Sequence, residues 1–204
     1  MLKIIKGAHV TASEKLSQGY EITDFGITAN TDADNIRKII EDFLVMNNDL
    51  PLFLFIEVPA NLKDEKVIGK EEDGAVLVEK SHKDVYYLDG VSSEELGHLL
   101  DPLYDILIND GLSAFGVGNP NGEEIGKYKY NAMILYAKNP DKYIQLFEKY
   151  NISRTDKLVT AWDSFTPETP GKCERYYDKS GRDIYDIIVK LKEVGLYKAE
   201  QRED

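Results

Sequence analysis

The residues best suited to chemistry in this sequence are carboxylates. Asp84, Asp89, Glu123, Glu124 and Asp163 fall at the ends of expected strands or in the connections between them, where binding and catalytic groups are commonly mounted. Two such acids flanking a substrate could divide the work of general acid and general base. A hydrolase-type site on the loops around Asp89, Glu123, Glu124 and Asp163 is therefore one reading. The sequence offers no way to choose the pair, and acids this plentiful also serve as ordinary solvated surface charge.

Other reactive groups are sparse. His9, His82 and His98 share no metal-ligand spacing, and the single thiol, Cys173, is remote from them; no metal and no cofactor is expected. Lys172 and Arg175 flank Cys173 and could depress its pKa. No histidine stands near it as a base, so an inert thiol is the expectation. There is no G-x-S-x-G elbow. The run Gly116-Val117-Gly118-Asn119-Pro120-Asn121-Gly122 follows a strand and invites comparison with a phosphate cradle. Its last glycine comes one residue too late for the dinucleotide pattern, and no Gly-Lys-Ser/Thr follows. Glu123-Glu124 would repel a phosphate. A hairpin connection that needs glycine's backbone freedom fits better.

Aromatic residues suggest binding instead. The chain has 13 tyrosines and one tryptophan. Tyr86, Tyr87 and Tyr128 on expected strands, with Asp89, Glu123, Glu124 and the Trp162-Asp163 pair, make up a candidate acidic, ring-bearing face. Tyrosine buries area at low entropic cost and is common in protein interfaces. Most other tyrosines are expected to cap the core with the hydroxyl in water.

The formal net charge is −12 over 204 residues. Residues 1–102 hold 10 Lys and Arg against 20 Asp and Glu, or −10; residues 103–204 hold 15 against 17, or −2. An acidic half argues against nucleic acid and against an anionic membrane as partners. It fits a basic protein partner, for which acidic patches speed encounter and set register. Residues 1–7 are too short and too broken by charge for a signal peptide, and the apolar run 50–56 is too short to span a bilayer. The sequence thus reads as cytoplasmic.

The elements that must position these residues can be read in order. Residues 19–30 read as one strand with a bulge. Thr31 or Asp32 caps a helix whose stripe is Ile36, Ile39, Ile40, Phe43 and Leu44. Residues 51–58 read as a buried strand, apolar on both faces except Glu57. A turn at 71–74 precedes a hairpin of residues 75–79 with 84–88. Ser92 and Glu95 form a capping box for a helix running to 109, broken near Asp101 by Pro102. Strands follow at 112–117 and 127–136. Asn139-Pro140 starts a third helix, residues 158–165 read as a strand and 166–181 as a loop. A last helix, 183–194, ends at Gly195.

Alternating helices and strand pairs predict an α+β fold in one domain, 1–204: a mixed, mostly antiparallel sheet with helices packed on it. A shift of 61 residues aligns Thr31 with Ser92, Asp34 with Glu95, Ile39 with Leu100 and Pro59 with Pro120, suggesting duplicated halves, 20–88 and 89–204. Helix caps and stripes that arose independently would align in the same way. The functional expectation is a non-enzymatic cytosolic binding protein that occludes a basic partner. Small acidic α+β proteins that neutralise toxins or block nucleases, immunity proteins and other inhibitors among them, have this general make-up, an analogy of class only.

Overall fold

A computed structural model describes residues 2–11, 13–70 and 76–203. Along them the chain forms β1 (Ala8–His9), β2 (Gly19–Thr23), β3 (Gly26–Asn30), α1 (Ala33–Met46), β4 (Leu52–Pro59), β5 (Val67–Lys70) and β6 (Val76–Val78). There follow β7 (His82–Val91), α2 (Ser93–Leu100), α3 (Tyr104–Asn109), β8 (Ala114–Gly118), β9 (Glu124–Lys127) and β10 (Ala132–Tyr136). The chain ends with α4 (Ile144–Glu148), β11 (Lys172–Cys173), α5 (Ile184–Lys192) and β12 (Tyr197–Glu203). Eight strands make one antiparallel sheet in the order β12-β7-β4-β8-β9-β10-β3-β2. Two small antiparallel pairs, β1 with β11 and β5 with β6, stand beside it. The architecture is α+β with helices on the sheet. Among the described residues no helix is long and apolar enough to cross a membrane.

Strand alternation divides the sheet into two unlike faces. On β4, Leu54, Ile56 and Val58 join the main core. The α1 stripe of Ile36, Ile39, Ile40, Phe43 and Leu44 is buried against that face, and Tyr104 of α3 meets Phe115 of β8 edge-on. Ile184, Ile187, Ile188 and Leu191 of α5 enter the same core. Phe53, Phe55 and Glu57 alternate to the opposite, outer face. Phe55 is 2% exposed yet lies outside the main core.

Capping chemistry sets the helix limits. Ser92 and Glu95 form a complete capping box on α2, and Asp183 with Asp186 does the same for α5. Gly195, at φ +108, turns the chain out of α5 into β12. Pro102 interrupts the helix as expected, inserting a 3-10 turn, Asp101–Leu103, between α2 and α3. Asp32 precedes α1 without capping it; its carboxylate accepts the Lys3 amide at 2.6 Å.

Several expected elements are different. Residues 19–30 form a hairpin, β2 to β3, turning at Asp24-Phe25. Residues 127–136 are split, because Tyr130 and Asn131 take left-handed φ values of 55 and 65. Residues 158–165 form no strand; they hold a 3-10 turn, Ala161–Ser164. The expected hairpin of 75–79 with 84–88 does not form: β6 pairs with β5, and β7 lies between β4 and β12. β7 is apolar enough for a central position, whereas β6 is three residues long and buries none of them fully. The turn at 71–74 lies outside the described residues. The 61-residue shift carries β3, α1 and β4 onto β7, α2–α3 and β8 in sequence. In the sheet, three strands separate β3 from β4 but only β4 separates β7 from β8, so the duplication is not shown.

Two glycines of the supposed cradle, Gly116 and Gly118, are strand residues, and the third, Gly122 at φ +80, lies in the turn between β8 and β9. Gly116 and Gly118 stand opposite Phe55 and Phe53 of β4. A Cβ on Gly118 would run into the Phe53 ring. Gly118→Ala should therefore destabilise the fold by about 1–3 kcal/mol. Since Phe53 is the main obstacle, Phe53→Ala in the same chain should recover part of that loss. Urea denaturation of both single variants and the double variant measures the coupling, and strict additivity would contradict the packing.

Candidate functional site

The outer face collects side chains from strands far apart in sequence: Phe53, Phe55 and Glu57 from β4, Tyr87 from β7, Glu124 from β9, Tyr128 just beyond it, Tyr136 from β10 and Arg202 from β12. Glu57 is 8% exposed, and the Arg202 guanidinium pairs with it. Glu124 is half-buried, and its carboxylate accepts no hydrogen bond among the described residues. Burial pushes its pKa up to about 7; the negative Glu57 adds to the rise and Arg202 opposes it.

Rings surround this carboxylate. Tyr128 lies 6.4 Å from Phe55, Tyr87 5.7 Å from Phe53, and Tyr136 5.4 Å from Phe25, between ring centroids. Burial raises the pKa of Tyr87, Tyr128 and Tyr136, and in each case the next cause is the charge of Glu124. The three hydroxyls therefore stay protonated near neutral pH. Such a constellation attracts cations, because the carboxylate supplies charge and the ring faces supply quadrupole attraction. It also places two carboxylates in unlike environments, one ion-paired and one without a partner, as acid–base chemistry requires.

The residues singled out from sequence separate into three groups. Tyr87, Glu124 and Tyr128 meet in this cluster. Tyr86 is on the opposite face, buried beneath Lys192 of α5. The remaining candidates have local duties. Asp89 is exposed and accepts the Tyr197 hydroxyl at 2.5 Å. Glu123 accepts Tyr143 at 2.6 Å, with Asn119 and Lys142 each at 2.9 Å. Burial pushes Glu123 up, but those hydrogen bonds prevail and hold it below the usual carboxylate range. Asp163 closes a capping box with Thr160, and Trp162 stands exposed against Tyr130. Asp84 is held by Lys198 at 2.6 Å and Gln201 at 2.8 Å.

Sequence reasoning missed Glu57 and Arg202 as site residues. Glu57 did carry a signal, as the one charge in an otherwise apolar strand. Arg202 carried none, because β12 does not show in the hydrophobic pattern. The other reactive groups are occupied or inert. His82 meets Glu65 at 2.8 Å, His9 meets Glu174 at 3.3 Å, and His98 lies beside Glu94. Lys172 and Arg175 pair with Glu174 and Asp183; burial raises the Cys173 thiol pKa, so these cations do not activate it. No group of three or more His, Cys, Asp or Glu side chains converges among the described residues. No family model, curated protein or solved structure matches the chain.

Glu124 has a consequence for stability. Its folded pKa, about 7, exceeds the ordinary 4.5. The native state therefore holds a proton that the unfolded chain releases. The stability it contributes is complete below about pH 4.5 and declines as pH rises through 7. Glu124→Gln should flatten this decline and be the more stable form at pH 8, by on the order of 1–3 kcal/mol before allowance for solvent screening. Urea midpoints of both proteins across this range provide the check; parallel pH profiles would contradict the assignment.

Proposed function

We propose that this is a non-catalytic binding protein of the cytosol whose outer sheet face docks a basic segment of a protein partner. The observation that carries this reading is Glu124, a half-buried carboxylate without a hydrogen-bond partner, ringed by Tyr87, Tyr128 and Tyr136. An incoming lysine or arginine would supply the missing counter-charge and pack its stem on the rings. An inhibitor of immunity or antitoxin type would use such a face to occlude a basic site. Neither nucleic acid nor an anionic membrane suits it, since both present the sign of charge that Glu57 and Glu124 would repel.

A hydrolase-type reading survives in altered form. Its support is the electrostatic coupling of Glu57 and Glu124 in unlike surroundings, rather than the loop acids Asp89, Glu123 and Asp163. The binding reading is favoured because Glu57 is already engaged by Arg202, leaving one unpaired carboxylate.

Titration with an octalysine peptide, followed residue by residue by NMR, tests the proposal. The largest shifts should fall at Tyr87, Glu124, Tyr128 and Tyr136. Affinity should rise between about pH 6 and 8 as Glu124 ionises, and Glu124→Gln should weaken it by about tenfold. Shifts dispersed over the surface acids and indifferent to Glu124→Gln would reject the proposal.

A further inference from the structure

Strand register narrows what the Glu124 site can hold. Glu124 of β9 stands directly opposite Tyr136 of β10 on one side and Gly118 of β8 on the other. Gly118 in turn faces Phe53 of β4, whose ring fills the space that a side chain there would take. In the next row of the same face Tyr87 is opposite Phe55, and Gly116 and Gly126 follow. A Cβ on Gly126 would meet the Phe55 ring at 2.7 Å and the Tyr128 ring at 3.1 Å. Rings thus border the carboxylate from both rows, and Tyr136 remains 37% exposed, open to an incoming group.

Hydrogen-bond acceptors are scarce by comparison. Glu57 is held by Arg202, and Asp89 by the Tyr197 hydroxyl. Glu124 accepts no hydrogen bond among the described residues, which leaves it to answer a cation. A primary ammonium brings three N–H donors. Here they would have to share one carboxylate and the phenol oxygens, and any donor left over after desolvation counts against binding. A quaternary ammonium brings no N–H donor. Its methyl groups carry the positive charge to the ring faces, which attract it through their quadrupoles.

We propose that the Glu124 site takes a quaternary ammonium, the side chain of a trimethylated lysine in the basic segment of the partner, with its methyl groups on the rings of Tyr87, Tyr128 and Tyr136 and Glu124 as counter-charge. This rests on the binding reading of that face and narrows it: the rings select the methylated form, and the carboxylate selects the charge.

Titration of the full chain with two capped peptides, Gly-Ala-Lys-Ala-Gly unmodified and the same peptide with its lysine trimethylated, tests this by NMR. The trimethylated peptide should bind at least about fivefold more tightly, with shifts at Tyr87, Glu124, Tyr128 and Tyr136. Tyr136→Leu should narrow the gap to about twofold, whereas Tyr136→Phe, which keeps the ring, should preserve it. Equal affinity, or tighter binding of the unmodified peptide, at the same residues would overturn the quaternary preference and leave the binding reading standing. So would failure of the trimethylated peptide to shift Glu124 where octalysine does. A gap that a folded Tyr136→Leu protein retains would also overturn it; if that variant fails to fold, the two peptides on the unaltered chain decide alone. Absence of shifts at Glu124 with both peptides and with octalysine would remove the binding reading and the quaternary preference together.

Discussion

The outer face depends on one packing constraint, the ring of Phe55 lying across two neighbouring strands. Its edge comes so close to Gly116 of β8 and Gly126 of β9 that a Cβ at either position would meet it, at 2.7 Å for Gly126. Glycine in a strand interior ordinarily weakens the strand by leaving its backbone uncovered; here an aromatic ring from β4 provides the cover. Burying such a ring contributes about 2–3 kcal/mol. The same arrangement dries the surroundings of the carboxylates on that face. Glu57 acquires Arg202 from the last strand as compensation, whereas Glu124 acquires no hydrogen bond among the described residues and its pKa rises. The chemistry of the candidate site thus begins as a packing problem on an uncovered sheet.

Buried polar groups hold the frame around it. The Lys127 side chain is wholly buried at the end of β9 and donates to the carbonyls of Asp110 and Ser113. Burial lowers its pKa to about 8, with Asp110 opposing. The Asp110 carboxylate accepts the amides of Leu112, Ser113 and Tyr176, tying the segment before β8 to that before α5. This knot is on the helix side of β9, and alternation then sends Tyr128, the next residue, to the outer side. Asn131 performs the equivalent task for the N-terminal segment. A buried charge that satisfies several backbone groups is a weak source of net stability but a strong determinant of geometry, and here it fixes where Tyr128 stands.

What could be read from sequence follows from how local each signal is. The α1 stripe, the Ser92–Glu95 box, the break at Pro102 and the Asp183-to-Gly195 helix depend on contacts within a few residues, and each stands as read. Strand partners depend on the whole sheet. Local pattern pairs residues 84–88 with their sequence neighbour 75–79, although the apolar faces of β7 suit a place between β4 and β12. Residues 158–165 look apolar enough for a strand, yet Thr160 and Asp163 close a local capping box and turn them into a 3-10 segment. β12 is invisible to pattern because all its residues are exposed. The candidate site was legible only in fragments, since Tyr87, Glu124 and Tyr128 could be named but the two residues that tune Glu124 come from a core strand and from an unrecognised edge strand.

The same lesson applies to bulk charge. The first half of the chain carries −10 and the second −2, which by itself suggests an external basic partner. Some of the acids behind that asymmetry are answered inside the molecule. Asp42 pairs with Lys149, Asp84 with Lys198 and Glu57 with Arg202, each joining an acid of the first half to a cation of the second. Salt bridges at exposed positions contribute little to stability, but they remove these acids from the supply of free negative charge. The proposed partner would therefore be attracted less by the count of acids than by Glu124, which among the described residues is both desolvated and without a hydrogen-bond partner. Desolvation makes a counter-charge worth more at Glu124 than at any solvated acid, and the proposed preference of the outer face for a cation rests on that difference rather than on net charge.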